Sequence, residues 1–563
     1  MANNSLNAGH ATPIDRLKTL ISIEQEDIKT VIFYAIGIGF MALATPVAVQ
    51  ALVNTIAFGA LFQPLLVLTM ILLVLVGFSN VLAGLQFYVV DMLQRRLFVR
   101  LFDAAAQRLQ QVDYSVRDKQ HLPELANRFL DVVTLQKTAA VLLLETLGYV
   151  LQTVIGMLLL AFYHPMLLAF DLFLIAALAF ILFVLGKHGI ETGIEQSKAK
   201  YSALAWLETL AACPLMTKSD QNQAFIKSKT EAVVRYYLAT SARHFRILAR
   251  QNTGALVLHT LANTLLLGMG GWMVIDRQLS LGQLIAAELV VSAMIYGLTR
   301  LGKTLDNFYE LLASMDKLGH LLDLPPEPNQ VLVPYSAGNN PFRVDLIDIT
   351  TPSSPHLDAM NQLSLRIEPG ESIAIDGGCA KGTLFDLVFG LRMPSQGYIV
   401  LDNQDIRDVN IRKLRENIAL VRETEIIEST IADNVSLGSS AVISDIKQAL
   451  TVVGLMEVVA TFPEGVNTVL VANGEPLTRE QCLRLMIARA IVGNPKLLLL
   501  DGVLDRIEAT DAKAILTKLT DVSGAWTLIV STQIGELAAV CSRQLHIENG
   551  VVLENERDSA EPT

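Results

Sequence analysis

Charge is what this sequence has least of. Between Lys29 and Asp91 there is not one Lys, Arg, Asp or Glu. Over all 563 residues, charged side chains make up 18% and hydrophobic ones 52%, where typical soluble domains carry about 25% charged residues. That imbalance exceeds what ordinary cores require, and it excludes a disordered chain, a collagen-like chain and a purely soluble enzyme. Cysteine is scarce as well. Cys213, Cys379, Cys482 and Cys541 lie far apart, so there is no zinc spacing, redox pair or disulfide framework. Basic residues number 44 against 55 acidic ones, for a net charge of −11, which leaves a nucleic-acid partner without electrostatic support. The nine histidines form no ligand spacing, and His259, inside an apolar run, reads as a packed residue. Residues 1–29 are polar and mixed in charge. They lack the basic start and short apolar core of a cleaved signal, and no protease-like N-terminal domain is expected before the first span.

What is present is apolar length, confined to the first three hundred residues. A membrane-spanning helix needs about 20 apolar residues, and the charge-free stretch fits two, at 31–56 and 64–90, with a turn around Phe58–Gln63. A soluble core helix would show a polar position every third or fourth residue; these runs show none. A second pair is expected at 146–163 and 166–186, separated by His164-Pro165, and a third at 254–275 and 283–301, separated by Asp276-Arg277-Gln278. Lys and Arg gather beside one set of ends (Lys18, Lys29, Arg95, Arg96, Arg100, Lys187, Arg246, Arg250, Arg300, Lys303). The positive-inside rule then places both termini in the cytoplasm. The charged segments 91–137 and 187–251 keep helical spacing, as in Leu101, Ala105, Leu109 and Val112, and are expected to extend the helices into the cytoplasm. Asp171 and Glu288 fall inside expected spans. Acids there point to function, such as a substrate path; the alternative is a position near a helix end or a hydrated cavity.

Around Leu324-Pro325-Pro326-Glu327-Pro328 the composition shifts. The expected division is an N-terminal segment 1–29, a transmembrane domain 30–320, a linker 321–341, a soluble domain 342–553 and a polar tail 554–563. Beyond the linker, β-rich runs alternate with helical stretches, which indicates α/β architecture. Strands are expected at Phe342–Ile349, Leu363–Ile367, Ser372–Ile375, Ile399–Leu401, Ile418–Val421, Leu497–Leu500 and Thr527–Ser531. A strand leading through a glycine-rich turn and a lysine into a helix can cradle phosphates. Ser372–Ile375 followed by Asp376-Gly377-Gly378-Cys379-Ala380-Lys381-Gly382-Thr383 has that layout, and Asp501 ends a later apolar strand as a Walker B carboxylate would. For Lys381 the alternative is a surface lysine in a turn, and for Asp501 an acid at a strand end with nothing bound.

In this order of features the chain resembles the ATP-binding cassette exporters, with six spans followed by one P-loop-type nucleotide-binding domain. It is similar to half-transporters of the type I secretion and peptide-export branch through Leu43-Ala44-Thr45-Pro46, Phe162-Tyr163-His164-Pro165 and Leu281–Leu289. Leu477-Thr478-Arg479-Glu480-Gln481 stands where the family has L-S-G-G-Q, Ala488-Arg489-Ala490 follows, and Asn549-Gly550 suits the last hairpin. The resemblance implies ATP with Mg2+ held by Gly377, Gly378, Lys381, Gly382, Thr383 and Asp501 on one chain. Thr478 and Gln481 of a second chain would complete the site.

The departures from the family fall on the chemistry. With Lys381 at the Walker A lysine, Ile375 and Ala380 occupy the two glycine positions and Gly382 the metal-binding hydroxyl position. Thr383 is the substitute hydroxyl, but one residue along a helix points about 100° away. Thr383 and Asp501 are thus the remaining Mg2+ candidates. Gly502 stands at the glutamate that polarises water, Gln533 at the switch histidine and Glu423 at the Q-loop; Asp348-Ile349-Thr350-Thr351 has no aromatic residue to stack on adenine. Phosphoryl transfer rests on positioning and charge neutralisation, so fast hydrolysis is not expected. Two functions follow from the resemblance. One is a half-transporter that moves a peptide, protein or other substrate out across the bacterial inner membrane. It would act as a homodimer or with another cassette subunit, together with a membrane-fusion or secretion partner. The other is a non-hydrolysing membrane scaffold or regulator of an export system.

Overall fold

The computed structural model describes residues 12–57, 62–118, 122–328, 338, 340–352, 359–377, 380–521, 525–548 and 550–554. It divides into two compact units: Met1–Val112 with Gln120–Pro326, and Asp113–Lys119 with Glu327–Thr563. The expected turn at Phe58–Gln63 falls largely on residues outside the described set, as do Gly378 and Cys379.

The first unit is helical, and its helices start and stop where the sequence provides a cause. Helix α1 (Pro13–Ile23) is capped by Thr12, whose hydroxyl accepts from the Asp15 amide. Helices α2 (Gln25–Ala42) and α3 (Ala44–Ala57) are broken at Leu43. Pro46 cannot donate to the Ala42 carbonyl and its ring crowds it, which breaks the helix there. Helix α4 (Phe62–Gln111) runs unbroken for 50 residues, about 75 Å at 1.5 Å per residue, against a hydrocarbon layer of about 30 Å. It therefore includes both the second expected span and the charged extension after it. After the short α5 (Leu122–Asn127), α6 (Asp131–Val141) passes through a wide turn, Leu142–Thr146, into α7 (Leu147–Tyr163). His164 is extended, its ring accepts from the Met166 amide at 3.1 Å, and Pro165 opens α8 (Pro165–Ala179). Helices α9 (Gly189–Ala212), α10 (Asp220–Ile275, 56 residues), α11 (Leu281–Thr299) and α12 (Leu301–Leu322) complete the unit.

Five of these helical stretches are long and apolar enough to cross a membrane. The sixth expected span, 283–301, falls on α11 (Leu281–Thr299). Their outer faces carry large apolar side chains in the open, among them Phe62, Leu73, Val74, Phe183 and Ile275. In water such a surface would be untenable. Inside, close packing uses small residues. A Cβ at Gly156 of α7 would lie 2.9 Å from Val290 and 3.1 Å from the Met294 sulfur, both on α11.

The second unit is built on two main sheets. Strands β1 (Val344–Thr351), β2 (Met360–Ile367), β4 (Gln396–Leu401) and β5 (Gln404–Asp405) form an antiparallel sheet in the order β2-β1-β4-β5. Strands β3 (Ser372–Gly377), β6 (Ile418–Val421), β9 (Leu497–Asp501), β10 (Thr527–Ser531), β11 (Arg543–Glu548) and β12 (Val551–Glu554) form a six-stranded sheet. Its order is β12-β11-β3-β10-β9-β6, parallel except for the final hairpin. The remaining strands, β7 (Ser429–Thr430) and β8 (Val469–Leu470), pair with each other. Both faces of the parallel sheet are covered, as its near-continuous apolar strands require. Leu498, Leu500, Leu528 and Val530 pack into one cluster with the helix Arg479–Val492. Leu497, Leu499, Ile373, Ile375 and Ile529 pack into another with β1 and β2 and with helix α13 (Ala380–Val388). Strands β11 and β12 were expected only as the last hairpin that the resemblance implied at Asn549-Gly550, because Arg543-Gln544-Leu545-His546 lacks a continuous apolar run.

Candidate functional site

Parallel α/β sheets place ligands at the carboxyl ends of their strands, and here the register brings the candidate residues into one row. Ile375 pairs with Ser531, Ser531 with Asp501, and Leu500 with Val421. Asp501 and Arg422 therefore stand side by side where β9 and β6 end, with Asp376 across the intervening β10 near the end of β3. Gly377 takes φ +116°, and a Cβ there would sit 2.2 Å from the Ile547 carbonyl of β11.

The sequence brought forward Lys381, Gly382, Thr383 and Asp501, and the structure joins two of these, Gly382 and Asp501, through a residue that sequence reasoning passed over. Arg422 donates from Nε to Asp501 Oδ2 at 2.6 Å, from Nη1 to Asp386 Oδ1 at 2.8 Å and from Nη2 to the Gly382 carbonyl at 3.1 Å. Burial opposes the charge on its guanidinium, but the Asp386 and Asp501 carboxylates outweigh that and raise its pKa above the ordinary arginine value. Asp386 is also bound by Arg392 Nε at 2.8 Å. The other end of Arg392 makes a two-point pair with Asp118, at 2.7 and 2.9 Å. This pairing raises the Arg392 pKa, the Asp118 hydrogen bonds contributing most. Asp118–Arg392–Asp386–Arg422–Asp501 is thus one alternating chain of charges. Its first member lies in the segment Asp113–Lys119 and its last at the end of β9. Asp386 lies 36 residues before Arg422 and Asp501 79 residues after it, so no local pattern could have linked them.

The other candidate positions are occupied as follows. Lys381 is half-buried and has no ion pair among the described residues. Thr383 is buried, 4% exposed. Asp376 is engaged by His546, whose Nδ1 lies 2.7 Å from its carboxylate. Glu423 is exposed and turned onto Arg117 of the segment Asp113–Lys119, at 3.3 Å. Gly502 takes φ +65°, a left-handed conformation that a side chain adopts only at a cost. Gln533 is exposed, and its backbone amide donates to Asp505 at 2.9 Å. Thr478 and Gln481 form a capping box on the helix Arg479–Val492: the Thr478 hydroxyl accepts from the Gln481 amide at 3.2 Å, and the Gln481 side chain accepts from the Thr478 amide at 2.9 Å. Both side chains are spent on starting the helix. Gly378 lies outside the described residues. Asp171 and Glu288 belong to the first unit. Asp171 is buried in α8 with neither carboxylate oxygen hydrogen-bonded among the described residues; one oxygen of Glu288, on α11, is likewise buried and unbonded.

Two parts of one family match this chain in order. The ABC transporter transmembrane region matches residues 29–297, and the ABC transporter cassette matches residues 360–504. The chain belongs to the ABC transporters and carries one transmembrane region and one cassette; it is a multi-pass membrane protein. Among curated relatives it is 23% identical over 535 residues to the alpha-hemolysin translocation ATP-binding protein HlyB of Escherichia coli O157:H7. That match covers 92% of this chain and 74% of the relative. It is 24% identical over 543 residues to the Toxin RTX-I translocation ATP-binding protein of Actinobacillus pleuropneumoniae, again covering 92% and 74%. Among solved structures, a bacterial Atm1-family ABC exporter with ATP bound superposes with a TM-score of 0.83 at 18% identity, covering 95% of each chain. The fold is that of an ABC exporter half-transporter.

Cassettes of this family bind ATP together with Mg2+. The donor set here fits the two parts of that ligand unequally. Lys381 and Arg422 supply cations suited to phosphate oxygens. A Mg2+ ion demands an octahedral shell of oxygens at close range. Gly382 offers no side-chain oxygen, Thr383 is buried at 4% exposed, and one oxygen of Asp501 is already held by a guanidinium. The nucleotide fits; the metal does not.

Proposed function

We propose that this chain is one half of a dimeric exporter of the bacterial inner membrane, moving a peptide or protein outward, with both termini in the cytoplasm. Nucleotide is bound through Lys381 and the adjoining turn but turned over slowly. Its substrate class is suggested by the relatives, whose names describe translocation of hemolysin and of an RTX toxin. Weak turnover is carried by one observation: Asp501 is clamped by Arg422 at 2.6 Å, beside Gly382 and Gly502, so the groups that hold metal and polarise water are missing together. Losing a single element of this kind typically costs about 10²–10³ in rate. Pairing with a second, intact cassette subunit would supply one competent set of Walker residues.

A second reading, a non-hydrolysing scaffold or regulator, draws on the capping of the helix Arg479–Val492 by Thr478 and Gln481, which gives these side chains a structural task without nucleotide. The two readings separate in one experiment. The chain is purified from its native membrane, and both the co-purifying proteins and the phosphate released from ATP are measured. The exporter reading expects a second cassette protein, with turnover by the pair. Absence of a partner together with absence of nucleotide-dependent thermal stabilisation would overturn it in favour of the scaffold.

A further inference from the structure

The misfit between this site and Mg2+ has a specific cause, and that cause is itself a cation. We propose that the Arg422 guanidinium takes the place of the divalent metal, so that the cassette binds a nucleoside triphosphate in its metal-free form. This rests on the reading that the cassette binds nucleotide at all.

Position carries the argument. Arg422 directly follows Val421, which pairs with Leu500, so its side chain starts level with Asp501. It crosses from there to α13 and ends on the Gly382 carbonyl, at the family's metal-binding hydroxyl position, and on Asp386 one helical turn further along. Residues four apart lie on the same helix face, so Gly382 and Asp386 present adjacent acceptors to one guanidinium. The guanidinium thus holds Asp501, the acid a metal would need, while position 382 offers no hydroxyl and only open space, a Cβ there meeting nothing within 4 Å.

Charge and geometry agree. Arg422 carries five N–H donors, and the protein accepts from three of its nitrogens as described, leaving two N–H bonds for a ligand. The planar fork matches phosphate oxygens and cannot lose its proton. With Arg422 in place, a Mg2+ ion would have to displace it from Asp501 and then lie beside it, two cations at close range in a half-buried site. The Arg392 pair on the far side of Asp386 holds that acid in position, so the guanidinium is fixed before any ligand arrives. Preorganised charge of this kind supports binding. It does not supply the metal's bridge between β- and γ-phosphate oxygens, on which transfer depends.

The test uses the full chain in lipid nanodiscs and measures equilibrium binding of labelled ATP with excess EDTA or with excess Mg2+. The dissociation constants are expected to agree to within about twofold, and the electron paramagnetic resonance spectrum of Mn2+ with ATP should be unchanged by the protein. Replacing Arg422→Gln together with Asp386→Asn removes the cation and one of its acids and leaves Asp501 open to a metal. In that variant, binding in EDTA should weaken about tenfold, as loss of a charge-assisted bidentate contact would do, and Mg2+ should now strengthen it. Binding by the unaltered chain only when Mg2+ is present would overturn the inference while leaving nucleotide binding intact. Binding in neither condition would overturn both. A paired variant that binds equally well in EDTA would remove Arg422 from the role. Should that variant fail to fold, the comparison on the unaltered chain still decides.

Discussion

Single side chains in the cassette are held by charges that cannot be removed one at a time. Asp386 and Asp501 are each largely buried, 8% and 11% exposed at the side chain, and Arg422 neutralises both. Arg422→Ala would strand Asp501 and leave Asp386 with Arg392 alone, a loss of about 3 kcal/mol. In a cassette of this size that corresponds to a fall of about 6–12 °C in the cassette's unfolding temperature. Arg422→Lys should recover little of it, because an ammonium cannot span the three acceptors that the fork reaches. Gly502 gives a second residue-scale expectation. Restoring the family's glutamate with Gly502→Glu should leave phosphate release at background, since the metal site beside it is still missing. It should also cost about 1 kcal/mol, because the backbone at φ +65° is unfavourable for a side chain. Thiol chemistry reports on the same core. Burial pushes the Cys541 thiol up to about 12. The thiolate is the reactive form, so in a Cys379→Ala background maleimide should modify exposed Cys213 and spare Cys541 at pH 8. Reactivity of Cys541 should appear only on unfolding.

At the scale of elements, the segment Asp113–Lys119 shows how a short piece of chain is fixed to a domain far along the sequence. Asp113 caps the turn Tyr114–Val116 by accepting from the Ser115 amide at 2.8 Å. Arg392 stacks over the Tyr114 ring at 5.5 Å and pairs with Asp118. Asp118→Ala should free the segment and expose Arg117 to trypsin. Cleavage there should be about tenfold faster, the equivalent of losing about 1.4 kcal/mol of local stability. An unchanged cleavage rate would mean that the pair contributes nothing to holding the segment. This element marks the limit of what could be read from the chain alone. Strands such as Leu497–Asp501 announce themselves by unbroken apolar runs buried on both faces; the break at Leu43 was missed, because the apolar run 31–56 reads as one span although Pro46 lies in it. The span boundaries were legible only loosely, because α4 and α10 continue without interruption from apolar into charged sequence. Lys381 and Asp501 were legible from their order along the chain. Arg422 was not: its partners are fixed by the alignment of β6 with β9 and by the approach of α13, and neither leaves a periodic trace.

For the molecule as a whole, the question is which side of the membrane its charged helical ends occupy. Helix α10 spans 56 residues, about 84 Å, and a hydrocarbon layer accounts for about 30 Å of it. Its apolar part lies at the C-terminal end, before Asp276, so the N-terminal two-thirds must project beyond the lipid. Cys213, exposed just ahead of that end, is carried with it. The basic residues Arg243, Arg246 and Arg250 lie on this projecting part, where the positive-inside rule assigns the cytoplasm. On that assignment Arg277, in the turn at the other end of α10, is expected to face outward. In vesicles with the native orientation, and with the other cysteines replaced, an impermeant maleimide should label an Arg277→Cys variant at once. It should leave Cys213 untouched until the membrane is permeabilised. Labelling of Cys213 from outside would invert the topology and place the cassette on the wrong side for cytoplasmic nucleotide, which an exporter cannot tolerate.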